Sequence, residues 1–176
     1  MNKHFVISAL GQDKPGIVNS LSKNILDFGG NITDSRMSVL GDEFALVMLV
    51  TGTEETISHI ENSLPGLQDS LGLTIISKQT DARISEERRL PYCVNVVAMD
   101  NPGIVHDVTG FLSNRGINVE ELSTSTYSAA HTGTPMFSLD LNISLPADVN
   151  ISQLRNDFLS FCDGLNLDAR LEPVVK

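Results

Sequence analysis

Short apolar runs and longer apolar stripes follow one another along this chain in an order that occurs twice. Residues 4–10, HFVISAL, form a short run rich in β-branched and aromatic side chains and read as a strand. YCVNVVAM, at 92–99, has the same character. Each run is interrupted by an Asp-x-Pro-Gly turn, after which apolar residues recur at helical spacing. The first stripe is Ile17, Val18, Leu21, Ile25 and Phe28; the second is Ile104, Val105, Val108 and Leu112. Such a helix is apolar on one side only, so it must cover a face of something else. Gly29-Gly30 and Arg115-Gly116 supply its stop, where a residue free to take positive φ is favoured.

NITDSRMSVL, at 31–40, alternates moderately, Gly41-Asp42 makes a tight turn, and EFALVMLVTG follows as a strongly apolar strand, which predicts a hairpin. Its counterpart pairs INVEELSTSTY with PMFSLDLNISL across a longer loop, SAAHTGT. Thr53 or Thr56 opens a second helical pattern through Ile57, Ile60 and Leu64, and Pro65-Gly66 predicts a break in it. LTIISKQT closes the first half as a strand; ISQLRNDFLSFCDG and LNLDARLEPV close the second as helix and strand. Each half therefore reads β-α-β-β-α-β, a ferredoxin-like plan with two helices on one face of a four-stranded antiparallel sheet. The fold class is α+β.

The duplication is also visible residue by residue. Asp13 and Asp100 are 100 − 13 = 87 positions apart, and at that offset Asp13, Pro15, Gly16, Ile17, Val18, Gly29, Asn31 and Ser38 all meet identical residues. Seven of these eight fall at one loop–helix junction or at the far end of the same helix, so the identity is concentrated where the chain reverses. The organisation predicted is a first domain over residues 1–80, a polar linker, DARISEERRL, over 81–90, and a second domain over 91–176. A unit of this size is marginal alone, and tandem copies can protect each other's strand edges or sheet faces.

Composition narrows the function. Hydrophobic residues at 41% and charged residues at 19% are those of a globular chain with a packed core. No apolar run reaches the roughly 18 residues of a membrane span, and the start carries no signal-peptide pattern, so no membrane association and a cytoplasmic location are expected. Net charge is −10, and the only basic cluster, Arg88-Arg89, lies beside Glu86 and Glu87, which argues against direct nucleic-acid binding. Cys93 and Cys162 lack metal or redox spacing, and the four histidines form no ligand pair, so neither a metal nor a cofactor is expected. No nucleophile elbow, phosphate loop or dinucleotide fingerprint is present, and His106, at a position where a base could sit, is matched by Asn19 in the first copy. No catalytic residue is assigned.

The Asp-x-Pro-Gly element has two readings. Proline presets φ at a helix start and aspartate can accept from a free helix amide, which accounts for both as structural residues. Glycine is a poor choice inside a first turn unless something approaches the backbone closely, and exposed helix amides attract a carboxylate. Gly16 and Gly103 leave room for one, and Asn31 and Asn118 offer amide groups that can complete a site for a small amino acid; turn chemistry explains the asparagines equally well.

Asp-x-Pro-Gly-Ile-Val after a first strand, Gly-x-Asn-Ile after the first helix and the β-α-β-β-α-β frame resemble the ACT domain, a small-ligand regulatory module of amino-acid metabolism. The resemblance covers nearly the whole chain, twice. It implies that amino acids are bound at interfaces between paired modules, near the loop after strand one, with ligand contacts at Asp13, Gly16, Ile17 and Asn31, and at Asp100, Gly103, Ile104 and Asn118. The copies differ at Lys14 against Asn101 and at Gly30 against Ile117, so one site is open to being degenerate. A tandem of this kind without a catalytic domain is similar to repressors that respond to glycine or a related metabolite. They act on the glycine cleavage operon by direct contact with a LysR-type activator. An ACT-type regulatory subunit that feedback-controls a biosynthetic enzyme would use the same residues. The resemblance also implies edge-to-edge pairing of sheets within the tandem and a further step to a homodimer.

Overall fold

The computed structural model describes residues 2–82 and 89–174. The chain divides into two compact units, Met1–Ile84 and Ser85–Lys176. Unit 1 contains β1 (Lys3–Gln12), α1 (Ile17–Asp27), β2 (Asn31–Leu40), β3 (Glu43–Gly52), α2 (Glu54–Leu71) and β4 (Leu73–Thr80). Unit 2 repeats the order with β5 (Arg89–Met99), α3 (Ile104–Ser113), β6 (Asn118–Ser128), β7 (Pro135–Pro146), α4 (Ile151–Gly164) and β8 (Asp168–Pro173). The sheets run β2-β3-β1-β4 and β6-β7-β5-β8, with every pairing antiparallel. The ferredoxin-like reading of both halves is what the chain adopts. β5 begins at Arg89, so the last two positions of the stretch read as linker are strand; residues 83–88 of that stretch lie outside the described residues.

Alternation along the central strand decides which face is dry. Phe5, Ile7 and Ala9 of β1 are buried, as are Phe44, Leu46, Met48 and Val50 of β3, and they meet Ile17, Leu21 and Ile25 of α1 and Ile57, Ile60 and Leu64 of α2. Unit 2 builds the same layer from Val94, Val96, Leu139, Leu141, Ile143, Val108, Leu112 and Phe158. The intervening strand positions face away from the helices. Both edge strands carry a register irregularity at the same place, between Ile32 and Asp34 and between Val119 and Glu121.

Two local expectations fail for identifiable reasons. α2 does not break at Pro65-Gly66 but runs through to Leu71. The cost of an interior proline, about 3 kcal/mol, is offset because the extra turn packs Leu67 and Leu71 against the core. The aspartates of the Asp-x-Pro-Gly turns do not cap their helices either. The N-cap residues are Gly16 and Gly103, neither helix receives a side-chain cap, and the Asp13 and Asp100 N–H groups donate to Asp42 O and Pro135 O across the sheet end. Gly16 (φ 95°, ψ −6°) and Gly103 (φ 103°, ψ −14°) are left-handed, the geometry of the third residue of a type II turn whose second residue is proline. That conformation, which costs other L-residues about 1–2 kcal/mol, is reason enough for both glycines.

Two measurements check this account. Gly16→Ala is expected to lower unfolding stability by about 1–2 kcal/mol although a Cβ there meets nothing within 4 Å, while Gly66→Ala, inside α2 and equally unobstructed, raises it by about 0.5–1 kcal/mol. Denaturant titration of the two variants reads the opposite signs. Cys162 is fully buried in the unit 2 core, and burial, helped by the charge of Asp163, pushes its thiol up from 9.0 to about 11. The folded state therefore disfavours the thiolate. The associated stability is complete below pH 9 and is lost as pH rises towards 11, so at pH 8 a thiol reagent is expected to reach Cys162 only on unfolding.

Candidate functional site

The two Asp-x-Pro-Gly loops occupy equivalent places, where the central strand ends and the first helix of each unit begins. In both, aspartate and glycine are exposed, while Ile17 and Ile104 are 3% and 4% exposed and belong to the cores. Only the main-chain N–H of each isoleucine is therefore available to a ligand. The helices differ in how their first amides are served. The Thr53 hydroxyl accepts from the Thr56 N–H at the start of α2 and the Asn150 side chain accepts from the Gln153 N–H at the start of α4, whereas α1 and α3 receive no side-chain bond. The two uncapped helices are the two that follow the repeated turn. An uncapped N-terminus carries a partial positive charge and free donors, which suit a carboxylate.

The loops are not equivalent electrostatically. α1 has no acidic residue in its first turn, and nothing lies within 4 Å of the Cβ position of Gly16. Lys14 places its amino group 3.9 Å from the Cβ position of Gly72, the C-cap of α2, so a cation sits at this end of the sheet. α3 carries Asp107 in its first turn, with Oδ2 3.7 Å from the Cβ position of Gly103. Asn101, in place of Lys14, is uncharged and donates to Met99 O. Unit 2 thus brings a carboxylate beside its helix start, without a hydrogen bond to the free amides, where unit 1 has none. The sequence carries this signal as Ser20 against Asp107 at the offset of the repeat, and a reading that counts only identities passes over it.

The asparagines do not join the loops. Asn31 is level with Thr51 and His4, whereas Asp13 follows Gln12, eight residues further along β1, or about 27 Å at the usual strand rise. Asn118 is level with Ser144 and Pro91, again eight residues from Met99. Within one unit, a small amino acid held at the turn cannot reach the asparagine. The reason is topological: α1 carries the chain back to the end of the sheet where β1 began before β2 starts. No described depression is lined by the turn residues themselves, although one begins beside the second loop, at His106 and Asp107 in the first turn of α3. It is a groove of about 730 Å³ between α3 and α4, lined by residues including His106, Phe111, Arg115 and Phe161, with the Arg115 guanidinium stacked 3.6 Å from the Phe111 ring centroid. Among the described residues no group of three or more His, Cys, Asp or Glu is placed to hold a metal, and no helix is long and apolar enough to cross a membrane.

Comparison with known proteins agrees with this organisation. An ACT domain model matches residues 3–78. The glycine cleavage system transcriptional repressor of Escherichia coli is 31% identical over 171 residues, covering 97% of this chain and 90% of that protein. A UPF0237 protein of Methanopyrus kandleri is 35% identical over 78 residues, 43% of this chain but 87% of its own length, so a protein little longer than one unit also occurs. A crystal structure assigned to a glycine cleavage system transcriptional repressor superposes with a TM-score of 0.74 at 29% identity, covering 100% of this chain and 99% of that one. With relatives that are regulators matched from end to end, and with the strand–turn–helix junction duplicated inside the fold, the chain belongs to the ACT-domain family of the glycine cleavage system transcriptional repressor.

Proposed function

We propose that the protein is an amino-acid-responsive repressor of the glycine cleavage system. It holds the carboxylate of glycine or another small amino acid at the start of α1 and acts through contact with a LysR-type activator. The observation that carries the ligand part is the pair of uncapped helix N-termini set against two capped ones in the same chain. Asp13, Gly16 and the Ile17 N–H form the receptor in unit 1: the amides take the carboxylate and the exposed Asp13 carboxylate takes the α-ammonium. Asp100, Gly103 and Ile104 repeat the frame, but Asp107 competes for the same amides, which makes unit 2 the weak copy. Asn31 and Asn118 lie too far away to serve the loops of their own units.

Contact with another protein, in place of DNA, is the reading that charge favours. The chain carries 22 carboxylates against 12 lysines and arginines, and a surface of that sign repels a phosphate backbone. Recognition is then carried by the regulator's affinity for the activator, and a bound amino acid shifts it by its differential affinity for the free and complexed forms.

Titration calorimetry with glycine, serine and alanine is expected to give one site per chain. Ser20→Asp, which copies the arrangement at Asp107, is expected to weaken binding at least about tenfold while leaving the melting temperature unchanged or slightly raised, since a carboxylate at a helix start is stabilising by about 0.3–1 kcal/mol. Absence of heat with every small amino acid would remove the sensor reading. Affinity capture from lysate with and without glycine addresses the partner: the expected prey is a LysR-type activator, and recovery of a biosynthetic enzyme in its place would reassign the protein as a regulatory subunit.

A further inference from the structure

Each sheet has a face without helices, and the shared register allows the two faces to be compared position by position. In unit 1 one cross-strand row reads Asp34, Leu49, Val6, Lys78, and the next reads Arg36, Val47, Ser8, Ile76. The same rows in unit 2 read Glu121, Asn142, Cys93, Glu172 and Ser123, Asp140, Asn95, Arg170. These rows of unit 2 are made for water: Asn95 donates to Asp140, Asn142 donates to Glu121, and in the row that follows the Ser125 and Ser138 hydroxyls bond each other. Where unit 2 carries Asp140 and Arg170, unit 1 exposes hydrocarbon, with Val47 49% and Ile76 68% exposed, and Leu10, 51% exposed, adjoins them at the place of Val97. An apolar patch in the middle of a sheet face, where the matching rows of the homologous face are mostly polar and the apolar side chains Val97, Met99, Met136 and Tyr127 lie towards one end, marks a contact surface.

We propose that this face is the contact between two copies of the chain, packed sheet against sheet about a two-fold axis parallel to the strands. Such a rotation keeps each row level and reverses strand order, so β2 of one copy lies over β4 of the other. Asp34 then meets Lys78 of the second copy, twice, and Leu49 meets Val6 of the second copy between them. In the next row Ile76, the most exposed of these side chains, lies over the shallow depression bordered by Val47 and Arg36. The charges agree with self-association. The three rows from Asp34 to Ser38 hold one carboxylate and two cations, whereas the same rows in unit 2 hold four carboxylates and one cation. For a chain of net charge −10, unit 1 offers the face on which two copies meet with the least repulsion. Four strands about 4.8 Å apart and about eight residues long present about 500 Å². Two such faces bury about 1,000 Å², the lower end for a specific interface, which fits a dimer that dissociates at micromolar concentration.

Sedimentation velocity of the full chain between about 1 and about 100 μM tests the contact. A concentration-dependent dimer is expected. Val47→Asp combined with Ile76→Arg installs the residues that unit 2 carries at these places, Asp140 and Arg170, and is expected to raise the dimer dissociation constant at least about tenfold with an unchanged circular dichroism spectrum. Lys78→Glu, at an exposed position, copies Glu172, places two carboxylates opposite each other and is expected to weaken the dimer several-fold without touching the core. A monomer at every concentration overturns the proposal. So does a dimer indifferent to Lys78→Glu and to the double substitution, which would assign association to a strand edge.

Discussion

Two helices can dry only one side of a four-stranded sheet, and that one-sidedness shapes everything else in this chain. It dictates the period-two burial of β1 and β3, the narrow apolar stripes of α1 and α2, and the same pattern in unit 2. It leaves a second face whose composition is free to vary without affecting the fold. It also requires that the chain cross from sheet to helix layer in few residues, and each crossing after the central strand uses a left-handed glycine. The left-handed turn in turn leaves the helix N-terminus without a side-chain cap, since the residue in the capping position has no side chain to offer.

The consequence for binding is that fold and site are not separate inventions. The residue that makes the layer crossing possible is the residue that exposes the first amides of α1 and α3. Nothing in the fold obliges those amides to remain open, as α2 and α4 show by capping theirs with Thr53 and Asn150. In unit 2 a carboxylate, Asp107, stands beside the opening without bonding its amides, and in unit 1 none does. A single difference in the first helical turn, Ser20 against Asp107, therefore changes the charge beside the free amides on the same backbone.

Much of this was legible before any coordinates. Alternation in HFVISAL and EFALVMLVTG, the stripes Ile17–Leu21–Ile25 and Ile57–Ile60–Leu64, and the duplicated turn lead to the fold because each reports a local contest between burial and solvation. Three readings failed where the outcome was decided at a distance. Pro65 argues locally for a break, but Leu67 and Leu71 beyond it have core to reach. Asp13 argues locally for a cap, but the N-cap position falls three residues later at Gly16, and the main chain of Asp13 is tied instead to the neighbouring hairpin at Asp42. Asn31 looks close to Gly16 in sequence terms because both flank α1, yet a helix that runs back along the sheet separates its two ends, so the pair cannot share one ligand within a unit. The open faces show the opposite lesson: their contrast is plain in the sequence once register is known, because Val47 and Asp140, or Ile76 and Arg170, align only through their strand partners and not through the constant offset of the repeat.

Duplication followed by divergence explains why the differences between the units are so unevenly placed. The cores and the layer-crossing turns are held by packing and by backbone geometry, so they keep Ile17 and Ile104, Gly16 and Gly103, and Leu21 and Val108 at matching depths. The first helical turn and the solvent face of the sheet are held by neither. There the two units have parted: Ser20 against Asp107, Lys14 against Asn101, Leu49 against Asn142. A fold that constrains one face of a sheet and one stripe of each helix leaves chemistry to the remainder, and in this chain the remainder has diverged: the middle of the open face is apolar in unit 1 and polar in unit 2, and a carboxylate stands beside the helix start only in unit 2. An ancestral pair of identical units would have offered two equal helix starts and two equal faces; the present pair offers two unequal ones of each.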